Sequence, residues 1–194
     1  MKKCLILLLL MFPVIAGFGQ NSRSVDNCNY GLQLSPFGVY GYNERLLADQ
    51  VALRIELGME ANIGTVIGSN KMQAYLIHNL SLEPRYYYNL KNRAKAHKNT
   101  FGNSAEFLTM RIRLRPGYII SSTPGVYGVP DLSFIPTWGF RRVFQEKVVV
   151  ELGGGVGFRC YLDDIKERVG EDGIRHLVFN LHLRFGVHFG TSKD

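Results

Sequence analysis

The stretch HLVFNLHLRFGVHFG (residues 176–190) decides how the rest of the chain is read. Its apolar residues recur at every second position: Leu177, Phe179, Leu181, Leu183, Phe185, Val187 and Phe189. The intervening set is His176, Val178, Asn180, His182, Arg184, Gly186 and His188. A period of two is that of a β-strand, with successive side chains on opposite faces. The alternation runs for thirteen residues from Leu177 to Phe189, whereas a globular strand has typically ~5–6.

The same pattern recurs upstream. VALRIELGMEA sets Val51, Leu53, Ile55, Leu57 and Met59 against Ala52, Arg54, Glu56, Gly58 and Glu60. FLTMRIRLRPGY sets Leu108, Met110, Ile112 and Leu114 against Thr109, Arg111, Arg113 and Arg115. KVVVELGGGVGFRCYL sets Val148, Val150, Leu152, Val156, Phe158, Cys160 and Leu162 against Glu151, Gly153, Gly155, Gly157, Arg159 and Tyr161. In SLEPRYYY, Glu83 and Arg85 face away from Leu82, Tyr86 and Tyr88. No segment shows a convincing helical period.

Two architectures give such alternation. A soluble sandwich or barrel turns the apolar face inward. A transmembrane barrel turns it toward lipid and keeps the polar face for the lumen. Three features favour the second. The strands are long enough for a tilted crossing of roughly 9–11 residues. The polar face mixes charge with glycine: Arg54, Arg85, Arg111, Arg113, Arg115, Arg141, Arg159 and Arg184 against Glu56, Glu60, Glu83 and Glu151. Aromatics (Tyr86, Tyr88, Tyr118, Trp138, Phe140, Phe189) gather near strand ends, where an interfacial girdle belongs.

The N-terminus agrees with export. Lys2 and Lys3 precede the apolar run Leu5–Ile15, and Ala16-Gly17-Phe18-Gly19 resembles a cleavage site. The expected organisation is a signal peptide over 1–19, a polar leader over 20–29, a barrel over 30–190 and a tail over 191–194. Removing the leader peptide takes two positive charges from the formal +7 and leaves Cys28 and Cys160 of the three cysteines. Export permits a disulfide, but two unpaired thiols are expected, since Cys160 points outward and Cys28 lies in the leader.

Alternating walls are legible at about 30–47, 50–66, 72–91, 104–121, 130–145, 147–162 and 174–189. That is one short of the even number such barrels have, and Pro36 and Gly38 mark the place where one apparent wall divides. The fold expected is all-β, an antiparallel up-and-down transmembrane barrel of eight strands, just wide enough for side chains to fill.

The segments LEPRYYYNLKNRAKAHKNTFGNSAEF, IPTWGFRR and NLHLRFG together resemble a group of small outer-membrane β-barrel proteins of Gram-negative bacteria. In that group a Leu-Glu-Pro-Arg strand precedes a basic linker, a Pro-Thr-Trp-Gly strand and a final Asn-Leu-His-Leu-Arg strand. The resemblance implies a fold and an outer-membrane location, and no activity.

Candidate chemistry is sparse. A lipid-modifying site needs a Ser–His pair on the wall, and no strand offers one. A rim protease needs aspartates, which fall mainly in links (Asp49, Asp131, Asp163, Asp164, Asp172). His176, His182 and His188 stand six residues apart on one strand face, roughly 20 Å, too far to share a metal. GGGVG at 153–157 lacks the Lys-Ser/Thr of a phosphate loop and reads as room for opposing side chains. DDIKERVGEDG lacks a calcium-loop register and reads as an exposed loop.

The lumen is therefore expected to hold an ion-pair network of Arg54, Glu56, Glu60, Glu83, Arg85, Arg111, Arg113, Arg115, Arg141, Glu151, Arg159, His182 and Arg184. Lys91, Arg93, Lys95 and Lys98 form a basic run that would meet lipopolysaccharide phosphates if it lay outside; counting back from a periplasmic C-terminus places it in the periplasm, where it would meet an acidic envelope partner. Expected partners are outer-membrane lipid and no nucleic acid, with no cofactor. The expected role is structural or interactive without catalysis. The alternatives are a narrow anion-preferring pore or lipopolysaccharide-binding barrel, a lipid-modifying enzyme, and a secreted soluble barrel.

Overall fold

The computed structural model describes residues 25–65, 72–122, 124, 127–162 and 176–190. The expected signal peptide, the loop 163–173 and the tail lie outside them. Nine strands are present: β1 (Cys28–Ser35), β2 (Gly38–Ala48), β3 (Val51–Thr65), β4 (Met72–Tyr86), β5 (Glu106–Arg115), β6 (Ile119–Ser121), β7 (Asp131–Phe144), β8 (Val148–Tyr161) and β9 (His176–His188). Every pairing is antiparallel. β3 bonds to β4 and β1 bonds to β9, so eight strands close into a barrel in the order β1-β2-β3-β4-β5-β7-β8-β9.

The ninth strand is not an extra wall. β6 pairs with the upper part of β4 (Ile77↔Ile119) above the place where β5 leaves it (Leu80↔Leu114). β5 and β6 are one wall interrupted at Pro116-Gly117, where Gly117 has φ +82 and its carbonyl accepts from the Gly128 amide at 3.0 Å. A left-handed backbone there is what glycine supplies.

The apparent wall at 30–47 is two strands, divided at Pro36-Phe37. β1 also begins earlier than the sequence suggests, at Cys28 inside the expected leader, and it pairs with β2 from Cys28↔Arg45 onward. Weak strand propensity is overridden because β2 and β9 offer β1 a row of backbone partners on each side, and ring closure satisfies them. Cys28 and Cys160 form no disulfide.

The polarity of the wall is inverted relative to a soluble β-barrel. Inward positions are buried and polar, including Arg54, Glu56, Glu83, Arg85, Arg111, Arg141, Glu151, His182 and Arg184. Outward positions are apolar and open: Leu181 is 80% exposed, Phe179 73% and Leu57 65%. Exposed apolar residues run along every one of the eight walls, well beyond the few hundred Å² that soluble monomers leave uncovered.

The ends of the barrel differ. The turns at 49–50 and 145–147, the link 87–105 and both ends of the described residues (Val25 and Gly190) lie at one rim, here called the lower. The turn at 36–37 and the last residues of β6 and β8 (Ser121, Tyr161) lie at the upper. The lower hairpin is tight because Gln145 (φ 49) and Glu146 (φ 59) are both left-handed, with the Lys147 amide donating to Phe144 O at 3.0 Å. This is the primed turn that suits strand twist.

The hydrophobic cluster of the protein sits at this lower rim rather than mid-barrel: Val25, Ala52, Tyr87, Leu90, Ala105 and Phe107. The link carries a helix, α1 (Leu90–Lys95), and a 3-10 turn over Phe101–Asn103. Six residues are too few for a helical period to show in the sequence. Leu90 is the buried anchor of α1.

Candidate functional site in the barrel interior

The inward charges form two layers. In the lower layer the carboxylates of Glu44, Glu56, Glu83 and Glu151 interleave with the guanidinium groups of Arg54, Arg85, Arg111, Arg141 and Arg184. Glu151, on β8, accepts from Arg54 Nη1 (2.9 Å), Arg141 Nη1 (2.6 Å), Arg85 Nη1 (3.3 Å) and His182 Nε2 (2.8 Å). Glu56, on β3, accepts from Arg54 (2.9 Å), Arg111 (2.8 Å) and Arg184. Glu83 takes both Nε and Nη2 of Arg85 at 2.9 and 2.7 Å and stands 3.3 Å from Arg111 Nε. Aromatic rings cover the cation faces: Tyr42 under Arg54 (3.9 Å), Phe107 under Arg85 (4.2 Å) and Tyr40 under Arg184 (3.9 Å).

The alternation of the strands makes this possible. Residues two apart on one strand share the lumen face, so Arg54 and Glu56 pair within β3, and Glu83 and Arg85 within β4. The ring then brings β8 across to both, and Glu151 ties three walls together. Burial costs each ion its hydration, which mutual pairing offsets only when the geometry satisfies the forks.

The lower mouth is filled from within. Arg141 Nε donates to Gly102 O (2.6 Å), Asn103 Nδ2 donates to Glu44, and the Asp26 amide donates to Asn103 Oδ1 (2.8 Å). Phe101 packs edge-on against His188 with ring centroids 5.5 Å apart. The Tyr87 hydroxyl donates to Glu44 at 3.0 Å, and burial followed by that carboxylate holds its pKa above the ordinary phenol value. Asp26 and the link thus pack into this end.

The upper layer is looser. Arg115 Nη2 meets Asp131 at 2.6 Å, Arg159 Nε stands 3.4 Å from the same carboxylate, and Arg113 Nη1 is 3.6 Å from Glu60. The Tyr40 hydroxyl donates to Glu60 at 3.0 Å.

All thirteen residues of the expected network are inward, and the structure adds Glu44 and Asp131. Among the described residues, eight inward arginines thus face six acids (Glu44, Glu56, Glu60, Glu83, Glu151, Asp131) instead of the four read from the sequence. Glu44 was legible in principle, since Tyr40, Tyr42 and Glu44 alternate on β2. Asp131 was assigned to a link but is the first residue of β7. Among the inward glycines, Gly58 does make room for a large side chain, since a Cβ there would strike the Tyr40 ring. A Cβ at Gly157 would strike the β7 backbone at Phe134 O, and one at Gly155 would strike both Pro136 O and the Thr137 side chain. They permit close approach of neighbouring walls.

The basic run does not converge on one point. Lys91 pairs with Asp49 (3.3 Å), Arg93 donates to Asn99 O (3.1 Å), and Lys95 and Lys98 are exposed. Partial burial and the nearby Arg142 lower the pKa of Arg93. The run lies at the lower rim. His182 bonds Glu151 and His188 lies beside Tyr42 at 3.3 Å, so the two serve different partners.

No protein-family model matches the chain, and neither a curated protein nor a solved structure shows significant similarity to it.

Proposed function

We propose that this chain is a small integral outer-membrane β-barrel with a side-chain-filled, ion-paired interior and a structural or interaction role. The observation that carries this reading is the inverted polarity of a closed eight-strand ring. Apolar walls facing outward need a lipid solvent, and a closed barrel leaves no unpaired strand edge within it. The thirteen to fifteen residues of β3, β4 and β9 suffice for a tilted crossing. Tight turns at the lower rim support a periplasmic assignment of that rim, with export by the N-terminal signal segment.

The lower layer of ion pairs and the filled mouth support a closed interior rather than a conducting one. The arginine excess that motivates a pore shrinks once Glu44 and Asp131 are counted. Cell fractionation with electrophoresis before and after boiling tests the proposal. A heat-shifted band in the outer-membrane fraction, with no stepwise conductance in planar bilayers, is expected. A band that stays in the soluble fraction without detergent overturns it.

A further inference from the structure

The two layers differ in how well their guanidinium groups are satisfied. In the lower layer every arginine donates to a carboxylate, and although Arg54 Nε has no hydrogen-bond partner among the described residues, its Nη1 and Nη2 bond Glu151 and Glu56. In the upper layer Arg113 is 8% exposed, yet its Nε has no hydrogen-bond partner among the described residues, and its carboxylate neighbour stands off at 3.6 Å. Arg159 Nε likewise lacks a hydrogen bond. These two arginines are connected by register. Arg113 faces Ser133 across β5 and β7, and Ser133 faces Arg159 across β7 and β8. A small residue thus separates two large cations on three adjacent walls. On β4, Asn79 (3% exposed) has neither amide atom bonded, and it adjoins Leu80, which faces Leu114 beside Arg113.

Charge adds to the argument. Arg113, Arg115 and Arg159 meet Glu60 and Asp131, leaving one positive charge in excess among the described residues of this layer. Asp131 is already committed to Arg115 and to the Ser133 hydroxyl (3.1 Å), so it does not complete the other two forks. A buried guanidinium with unfilled donors is costly, and its planar fork matches two oxygens of a carboxylate or phosphate.

We propose that Arg113 and Arg159, on either side of Ser133, bind a small oxyanion of phosphate or carboxylate type in the upper layer of the barrel interior, with Asn79 as a further donor. The Arg159 side chain is 22% exposed, which leaves the site a route to solvent. The site needs only the barrel interior and is independent of where the barrel resides.

The test is calorimetric titration of the folded full chain in detergent and chloride-free buffer, with inorganic phosphate and separately with acetate. Saturable one-site binding of at least one anion is expected. It should weaken about tenfold or more in Arg113→Gln and in Arg159→Gln and stay unchanged in Lys95→Gln at the opposite rim. Neither arginine makes a side-chain hydrogen bond among the described residues, their ion pairs with Glu60 and Asp131 being long at 3.6 and 3.4 Å, and a heat-shifted band certifies each variant as folded. No saturable binding of either anion, or variants that bind like the parent, overturns the site. Repeating the titration after loading with lipopolysaccharide identifies the source: loss of the isotherm marks a headgroup phosphate as occupant, and its persistence marks a free anion.

Discussion

Glu151→Ala is the perturbation that the interior makes most expensive. The carboxylate is fully buried and meets three guanidinium groups and one imidazole, all within 3.3 Å. In the lower layer five arginines face four glutamates, so the substitution doubles the uncompensated charge from one to two. Removing one partner of a buried ion pair costs about 3–5 kcal/mol, since the other charge stays buried and unpaired. Arg54 and Arg85 retain Glu56 and Glu83, whereas Arg141 loses its carboxylate hydrogen bond and keeps Tyr42, Gly102 and His188. A loss near ~4 kcal/mol is therefore expected, short of three full pairs. With a slope of roughly 2–3 kcal/mol/M, the urea midpoint of the detergent-folded barrel should fall by roughly 1–2 M. Gel mobility before and after heating reads the folded fraction at each urea concentration. The exposed pair Lys91–Asp49 is the control, and Lys91→Ala should shift stability by less than about 1 kcal/mol. If Glu151→Ala moves the midpoint no further than Lys91→Ala does, the network is not what holds the interior.

Further outcomes follow from other parts of the fold. Leu181→Arg, at an outward position 80% exposed, should destabilise the barrel by roughly 2–4 kcal/mol in lipid vesicles; an outward surface in water would tolerate it, so an unchanged midpoint argues against a lipid-facing wall. Glu146→Gly relieves a left-handed backbone at φ 59 and should raise stability by about 1 kcal/mol, read as a higher urea midpoint. The raised pKa of Tyr87 means that the folded state holds the phenolic proton more tightly than the unfolded one. Its contribution is complete below the ordinary value of about 10 and is lost as pH rises above it. Tyr87→Phe should therefore show a smaller loss of stability between pH 9 and 11 than the parent, and identical slopes would refute the link.

Much of this was legible from alternation alone. The run Leu177–Phe189 predicts a strand with two chemically opposed faces, and β9 has them. Long charged alternation at Arg54/Glu56 and Glu83/Arg85 placed these residues on one face, because a period of two leaves no choice. Pairing partners were not legible. That Glu151 meets Arg54, ninety-seven residues away, depends on ring closure and on register. The first strand was hidden because Cys28 and Asn29 have weak strand propensity, and only the presence of β2 and β9 on both sides makes a strand of them. Asp131 was hidden by its position at a strand end, next to Pro130. The mouth-filling role of the link was hidden as well. A basic, polar segment gives no sign that Phe101, Gly102 and Asn103 turn back into the barrel.

The chain contains a single tryptophan, and Trp138 sits on the outer wall, 49% exposed, with its indole N–H donating to Tyr88 at 2.9 Å. Its fluorescence in vesicles of lipid brominated on the acyl chains therefore reports directly on what the wall touches. Strong quenching relative to unbrominated vesicles, with a heat-shifted band in the same sample, is the expected result. Emission that brominated lipid leaves unchanged while the barrel is folded would mean that the apolar wall does not face a bilayer, and would contradict the membrane assignment.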